Sequence, residues 1–270
     1  MPTPFARTAA LALALAAATA QADTVVLSDH DSAGLVAAME LANHNRQPVR
    51  IELADHGLYV LRESVDTHQR LGLPTVRRAL TIVGHGAEIR RYSDTEFALI
   101  EVAQGGRLAL QDVTLAEGAD GSVVNRGILH MDGVHITDAS GSDAALRNYG
   151  TLRGADSSIS YNTLLGVARD AGVVQNYGHM ELARSQISGN RISGRDNAIA
   201  ASALLNLGDA QLTDVTIEGN SALDMQPGQH TLINLGNAQL HGAGIVLRDN
   251  WPDNWPQETP VARMAGITAP

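Results

Sequence analysis

The chain has 270 residues, of which 44% are apolar but only 3% aromatic, and it carries a formal net charge of −10. All 19 basic residues are arginines, which excludes any mechanism that needs a lysine base. An acidic chain without a basic block is also a poor candidate for binding nucleic acid or anionic lipid. Because the chain has no cysteine, it can form no disulfide.

The first 22 residues have the pattern of a secretory signal peptide. Arg7 supplies a positive charge, an apolar run follows over residues 9–18, and Ala20-Gln21-Ala22 is a small-x-small cleavage site. The apolar run is too short to cross a bilayer, and no second apolar stretch is long enough to do so. We therefore predict cleavage after Ala22 and a secreted or periplasmic product without a transmembrane segment.

Residues 23–48 are predicted to cap the N-terminal end of the domain. An Asp-Ser pair precedes an apolar stretch over 34–42, which predicts a capped amphipathic helix. The apolar residues on its buried face are Leu35, Met39 and Ala42. The triplet Asp29-His30-Asp31 could supply metal ligands, but no further ligand is indicated. We interpret it as a turn followed by the N-cap of the helix.

The strands begin after this cap. Two are predicted over 49–54 and 58–62, and the polar, irregular residues 63–79 predict a surface loop. Further strands follow over 80–102, after which a repeated pattern continues to residue 250. The pattern then stops, and residues 256–270 are expected to form a loose C-terminal tail.

An Asn-x-Gly motif marks five copies of the repeat, and a degenerate sixth copy precedes them. The asparagines are Asn125, Asn148, Asn176, Asn206 and Asn234. The last glycines of neighbouring copies lie 21 residues apart at the closest (Gly106 to Gly127) and 30 at the widest (Gly178 to Gly208). Apolar residues alternate within each copy, as in strands with one buried face. Because one copy is too short to bury a core alone, stacked copies must share one, and this predicts a parallel β-helix.

The sequence resembles the right-handed parallel β-helix proteins of the pectate-lyase-like superfamily, and more narrowly secreted bacterial β-helix proteins of unassigned activity. One feature that carries the resemblance is the asparagine column, which is similar to the asparagine ladder of such proteins. The other is the opening coil over 80–90. The resemblance covers residues 24–250. It implies an all-β, right-handed parallel β-helix solenoid with a short N-terminal capping helix, forming one domain over 23–255 with its coils over 49–250.

The repeat assigns structural roles to its most regular residues. An inward asparagine at a turn can bond the backbone of its own coil and of the next, so we interpret the asparagine column as a structural ladder. The glycine two residues after each asparagine is expected to adopt a positive φ. Counted from that glycine, the ninth position reads Leu115, Ile136, Ile159, Ile187, Ile217 and Ile245. The twelfth position holds Asn162, Asn190 and Asn220, and Asn250 joins them if the last copy has two extra residues.

The sixth position is the best candidate column for a cation site. It reads Asp112, Gly133, Asp156, Arg184, Asp214 and Gly242. No two of these aspartates lie on neighbouring coils, so they are too far apart to share a Ca²⁺ ion directly. We predict turns at this position, with Arg184 neutralising the aspartates on either side of it.

The residue between the asparagine and the glycine of each motif is expected to point outward. Tyr149 and Tyr177 would then stack on neighbouring coils beside Arg126. An outward aromatic pair can contact a sugar or a partner protein, but packing along the column is the favoured interpretation.

The longer copies carry excursions over 163–172, 191–201 and 221–230, which are expected to lie on one side of the solenoid. Insertions on one face of a repeat protein often bind a ligand, whereas a solvated row of loops is the alternative. From the aromatic column and these excursions, the candidate binding residues are Arg126, Tyr149, Tyr177, Arg191 and His230.

Signs of catalysis are weak. Gly84-His85-Gly86 resembles the Gly-His-Gly of polygalacturonases, but the other motifs of that family are absent, so we interpret it as a turn with an exposed histidine. The leading hypothesis is a secreted, non-enzymatic surface or matrix module that binds a polysaccharide or an envelope or extracellular protein and needs no cofactor. The alternative is a polysaccharide lyase or glycoside hydrolase acting on an acidic polysaccharide, for which Ca²⁺ would be considered. Its candidate catalytic residues are Arg169, Asp170, Arg195, Asp196 and Asp224.

Overall fold

The computed structural model describes residues 22–119, 121–167, 171–194, 200–223, 229–236 and 238–252. The predicted signal peptide, apart from its last residue, and the predicted tail lie outside these ranges. Within them, no helix combines the length and the apolar character needed to cross a bilayer.

The described residues form an all-β parallel solenoid of about eight turns with one helix, α1 (Ser32–His44). Fourteen strands form the large sheet: β1 (Asp23–Val26), β2 (Val49–Glu52), β3 (Leu58–Leu61), β4 (Ala79–Arg91), β6 (Arg107–Ala116), β8 (Ile128–Thr137), β11 (Thr151–Ala155), β12 (Ser158–Ser160), β15 (His179–Ala183), β16 (Gln186–Ser188), β19 (Asp209–Thr213), β20 (Thr216–Glu218), β23 (Gln239–Ala243) and β24 (Val246–Arg248). Six more form a second sheet: β5 (Ile100–Val102), β7 (Val123–Asn125), β10 (Leu146–Asn148), β14 (Ala171–Asn176), β18 (Ala200–Asn206) and β22 (Gln229–Asn234). The third sheet contains β9 (Ser140–Gly141), β13 (Thr163–Val167), β17 (Arg191–Gly194) and β21 (Ser221–Ala222).

A lengthwise bend divides the large sheet into two flat segments, which we call the first and the second face. On the first face the strand order is β1-β2-β4-β6-β8-β11-β15-β19-β23, and on the second face β12, β16, β20 and β24 continue from the later half of β8. Equivalent residues of successive coils lie over one another, so that each inward position forms a column. The column Leu108, Leu129, Leu152 and Met180 is at most 1% exposed. Such columns build one continuous apolar core from α1 to the last coil.

The helix and its cap confirm the prediction. Asp31 Oδ1 accepts a hydrogen bond of 2.8 Å from the backbone N–H of Gly34, and Asp29 Oδ1 accepts one of 2.8 Å from the backbone N–H of Leu58. These contacts support a turn and an N-cap at the Asp-His-Asp triplet. The predicted inward residues of the helix, Leu35, Met39 and Ala42, are each at most 1% exposed.

The prediction of a surface loop over 63–79 was wrong for the second half of that range, which contributes buried residues. Leu71, Leu73 and Val76 are at most 1% exposed, and single bridges join Leu71 and Val76 to the following coil. These apolar residues are spaced irregularly among glycine, proline and threonine, so they show no strand periodicity in the sequence.

The last coil contains the two extra residues that the position of Asn250 suggested, and they lie between Asn234 and Gln239. The asparagine pairs in register with the coil below, but the next strand starts to pair two residues later than in the other coils. Leu247, rather than the predicted Ile245, therefore continues the inward isoleucine column. For the same reason the sixth-position bend falls at Gly244 and not at Gly242.

The predicted asparagine ladder is present between the six-stranded sheet and the first face. Each side-chain amide donates to the Oδ1 of the next asparagine at 2.7–2.8 Å. Asn176 also donates to the backbone carbonyls of Gly178 at 3.2 Å and Asp209 at 2.9 Å. The ladder thus ties each turn to the turn above it.

A second ladder stands at the turn between the second face and the four-stranded sheet. Its members are Asn162, Asn190, Asn220 and Asn250, joined by amide hydrogen bonds of 2.8–2.9 Å. The sequence showed this column without indicating its role. Two ladders per coil leave few buried backbone groups unpaired at the corners.

The prediction that the motif glycines adopt a positive φ was wrong for four of the five. Only Gly236 has the positive φ that we expected of all five. At the others the backbone passes against the coil below: a Cβ at Gly178 would lie 2.1 Å from the carbonyl oxygen of Gly150, and one at Gly208 would lie 2.2 Å from that of Gly178. Real Cβ atoms essentially never approach within 3.0 Å, so glycine is required here for close approach.

Among the described residues, left-handed backbone instead marks two bends of the coil, the first in seven successive coils and the second in six. The first, between the two faces of the large sheet, has φ of 46–65° at His85, Asp112, Gly133, Asp156, Arg184, Asp214 and Gly244. The second, at the end of the second face, has φ of 54–63° at Glu117, Asp138, Tyr161, Gly189, Gly219 and Asp249. Aspartate and glycine tolerate this conformation best, which explains why they dominate the sixth position. The interpretation of the Gly-His-Gly segment as a turn is confirmed, since its histidine lies at the first bend with a side chain 43% exposed.

Replacing Gly178 by alanine should destabilise the solenoid more than replacing Gly236 by alanine. At Gly178 the new methyl group meets a carbonyl oxygen, and such overpacking costs ~1–3 kcal/mol or more. At Gly236 nothing lies within 4 Å and only the positive φ is strained, which costs about 1 kcal/mol. Denaturant unfolding of both variants measures the difference, and equal losses would contradict the close-approach explanation.

Asn176→Ala should cost about 3 kcal/mol, because it removes a partner from both neighbouring ladder residues and each buried group left unpaired costs ~1–3 kcal/mol. The matched control is Asn234→Ala at the end of the ladder, where the side chain is 9% exposed. We expect a smaller loss there. Chemical denaturation gives both values, and a larger loss at Asn234 would argue against a cooperative ladder.

Candidate functional site

A groove of about 490 Å³ runs along the outer surface of the first face, across β6, β8, β11, β15 and β19. Most of its lining comes from two outward columns, three and five positions after the motif glycine. The first column holds Ala109, His130, Arg153, Glu181 and Gln211, and the second holds Gln111, Asp132, Ala155, Ala183 and Thr213. The short side chains at 155 and 183 form a low floor beside the longer polar side chains of the first column.

Two charged side chains of this lining, Arg153 and Glu181, form a chain of contacts with His179 and Asp209 beside the groove. We call these four residues the His179 relay. The Arg153 Nε–H donates to Glu181 Oε2 at 3.1 Å. The second oxygen, Glu181 Oε1, lies 2.8 Å from His179 Nε2, and His179 Nδ1 lies 2.9 Å from Asp209 Oδ2. The relay therefore links three successive coils, through β11, β15 and β19.

The relay requires a protonated histidine. Ionised carboxylates only accept hydrogen bonds, so contacts from both ring nitrogens of His179 to carboxylates need both nitrogens to carry a proton. The hydrogen bonds to Glu181 and Asp209 raise the pKa of His179 above its ordinary value. In turn, the hydrogen bond from His179 and the charge of Arg153 lower the pKa of Glu181. With all four groups ionised, the relay has no net charge.

The first bend forms a polar margin to this groove. The guanidinium of Arg184 donates from Nε to Asp156 Oδ1 at 2.8 Å and from Nη2 to Oδ2 at 2.6 Å, and this pairing lowers the pKa of Asp156. The predicted neutralisation is thus confirmed for Asp156, whereas no ion pair joins Arg184 to Asp214. Beyond the bend lies a second groove of about 440 Å³, whose lining residues include His135, Ser158, Gln186, Thr216 and Arg248.

The predicted aromatic stack is present at the turn between the six-stranded sheet and the first face. The rings of Tyr149 and Tyr177 are 4.8 Å apart at an angle of 12°, and the Arg126 guanidinium lies 4.8 Å from the centre of the Tyr149 ring. Because Arg126 and Tyr177 belong to the coils on either side of Tyr149, both faces of that ring are covered. Tyr149 is 39% exposed, and because both ring faces are occupied within the column, this geometry favours a packing role.

The other predicted binding residues lie away from the groove. Arg191 is exposed on β17 of the four-stranded sheet, and His230 lies on β22 opposite Ala201. The ring nitrogen Nδ1 of His230 is buried without a hydrogen-bond partner. Neither side chain lines either of the two grooves.

The predicted excursions are partly corrected. Each begins with a strand of the four-stranded sheet, namely β13, β17 or β21, and each ends in a strand of the six-stranded sheet, namely β14, β18 or β22. These parts therefore belong to the turns of the solenoid, and the central residues of each excursion lie outside the described residues. The five candidate catalytic residues, Arg169, Asp170, Arg195, Asp196 and Asp224, lie outside the described residues.

The His179 relay was not predicted from the sequence. Glu181 follows Arg153 by 28 residues, and Asp209 follows His179 by 30, so nothing local in the sequence connects them. The available signal was the repeat itself, because His179 and Asp209 both occupy the first position after the motif glycine. Reading outward columns for complementary charge would have found the pair.

Comparison with protein-family models, curated proteins and solved structures finds no match to this chain. Among the residues that the structure describes, no group of three or more histidine, aspartate or glutamate side chains is placed to hold a metal ion. The groove and its relay are therefore the candidate site on geometric grounds.

A double-mutant cycle on Tyr149→Leu and Tyr177→Leu should give a coupling energy of about 0.5–1.5 kcal/mol, because stacked aromatic pairs exceed their area burial by that amount. Leucine continues the column as it stands in the next coil, at Leu207, which makes it a conservative replacement. Unfolding free energies of the two single variants and the double variant give the coupling. A value near zero would show that the rings do not support each other.

Proposed function

We propose that the protein is a secreted, non-enzymatic interaction module that binds an extended polysaccharide chain along the groove of the first face. The observation that carries this proposal is the repetition of polar groups along the groove. Five successive strands each contribute at least one polar side chain, with the exposed residues Arg153 and Gln211 among them. Strands ~4.8 Å apart make such a row roughly 19 Å long.

A linear polymer is the ligand that suits a linear array. Each sugar residue presents hydroxyl groups at a regular interval, and each coil presents a donor or an acceptor at a regular interval. The alanine floor leaves room for a chain to lie beside the polar column. The predicted signal peptide would deliver the protein to the compartment where such polymers occur.

A binding role suits the charge arrangement better than catalysis. Glu181 uses both oxygens, and His179 uses both nitrogens, in contacts within the relay. Groups held in this way orient one another, and neither is left free to exchange a proton with a ligand. An envelope or extracellular protein is the other class of partner, and it becomes an outcome of the test.

The experiment is retention of residues 23–270 on immobilised polysaccharides, among them hydroxyethyl cellulose and carboxymethyl cellulose, with the size of the polymer measured after incubation with and without Ca²⁺. Arg153→Ala should weaken retention by about tenfold, since a lost hydrogen bond to a charged group costs ~1.5 kcal/mol, and Gln211→Ala by about fivefold, since a neutral hydrogen bond contributes ~1 kcal/mol. The matched control is Arg191→Ala, an exposed arginine on another sheet, which should bind normally.

Three results would contradict the proposal. A shortened polymer would show that the protein is an enzyme, and the unplaced candidates in the excursions would then be mutated first. Absence of retention on every polysaccharide would direct the search to a protein partner. Equal losses for Arg153→Ala and Arg191→Ala would place the binding surface elsewhere.

A further inference from the structure

We propose that His179 makes ligand binding by the groove depend on pH, so that the groove binds an anionic chain more tightly when His179 carries its second proton. This inference rests on the proposed function, because it concerns regulation of the same groove. Its basis is the position of His179 between two carboxylates on neighbouring coils, one of which also holds the groove residue Arg153.

The first step is that Glu181 shares its charge between two cations. One oxygen meets the His179 ring and the other meets Arg153 Nε. The Arg153 side chain is 57% exposed, and its only hydrogen bond to a described residue uses Nε. Its terminal guanidinium nitrogens are therefore in a position to meet an anionic group that enters the groove.

The second step is the loss of the proton. A neutral imidazole has one donor and one acceptor nitrogen, so it can no longer donate to both Glu181 and Asp209. The relay then changes from no net charge to one negative charge. Arg153 is then the only cation in the relay that contacts Glu181. The carboxylate of Glu181 neutralises the positive charge of Arg153, which is no longer available to a ligand.

The charged groups that face His179 come from three strands. Glu181 lies on its own strand, Asp209 on β19 and Arg153 on β11, while the residue directly opposite on β11 is the uncharged Thr151. One coil further, β8 carries His130 and Asp132 in the groove lining. His130 is the second imidazole of the groove, and its contribution must be separated from that of His179.

The direction of the effect follows from the signs of the charges. Contacts with two carboxylates hold the proton on His179 to a higher pH than in a free histidine, whose pKa is ~6.5. Binding of an anionic chain should therefore be strong at about pH 6 and weak at about pH 9. Aspartate, glutamate and arginine keep their charges throughout this range.

The experiment measures binding of carboxymethyl cellulose and of uncharged hydroxyethyl cellulose at about pH 6 and about pH 9, at low salt, with the His179 ring followed by NMR in the same titration. We expect affinity for the carboxylated polymer to fall about fivefold over this range and affinity for the uncharged polymer to stay constant. His179→Gln should remove the dependence, and His130→Gln should leave most of it.

A conservative variant separates the switch from a purely structural role. Asp209→Asn keeps the shape of the relay but removes one carboxylate, so the loss of affinity should move to lower pH together with the titration of His179. Affinity that does not vary with pH, a dependence that survives His179→Gln, or a His179 ring that is neutral at pH 6 would each overturn the switch while leaving the binding function intact. Failure of both polymers to bind at either pH would count against the proposed function itself.

Discussion

The whole structure depends on the parallel pairing of equivalent residues in successive coils. Strands lie ~4.8 Å apart, and this spacing repeats for each side chain that occupies the same position in its coil. Every position thus becomes a column along the axis. A column is stable only if its members are compatible with their own kind, since each meets its counterpart above and below.

This constraint explains the most regular residues of the chain. Asparagine is compatible with itself because its amide nitrogen donates to the oxygen of the next asparagine. The ladders at two corners of the coil both depend on this property. A column of aspartates would repel itself, which is why Asp156 is followed by Arg184 in the next coil and held by two hydrogen bonds from it. Glycine at position 178 satisfies the same constraint in another way, because it allows the backbones of two successive coils to approach closely.

The sequence was sufficient to predict what repeats. The parallel β-helix, the ladder through Asn176, the capping helix and the stack of Tyr149 on Tyr177 all follow from residues in a common phase, and the structure contains each of them. It was insufficient where the phase changes without a marker. The extra residues after Asn234 follow an intact motif, and the buried residues between 71 and 76 have no periodicity at all.

The candidate site was harder to predict for the same physical reason. Inward columns must be uniform, whereas outward columns are free to vary from coil to coil, so the column of Arg153, Glu181 and Gln211 carries no repeat that marks it as special. The contacts between these charged side chains can be recognised only when the strand register is known, because the register places His179 between Glu181 and Asp209.

The freedom of the outward columns is also what allows a solenoid to acquire a function without losing its fold. The His179 relay is built entirely from outward side chains on a scaffold whose inward columns, such as Leu152 and Met180, are fully buried. Changing a relay residue therefore leaves the core and the ladders intact. Exposed ion pairs contribute little to stability, ~0–1 kcal/mol each, so the four charged residues joined across three coils add little to the fold and are free to serve the proposed binding at the groove.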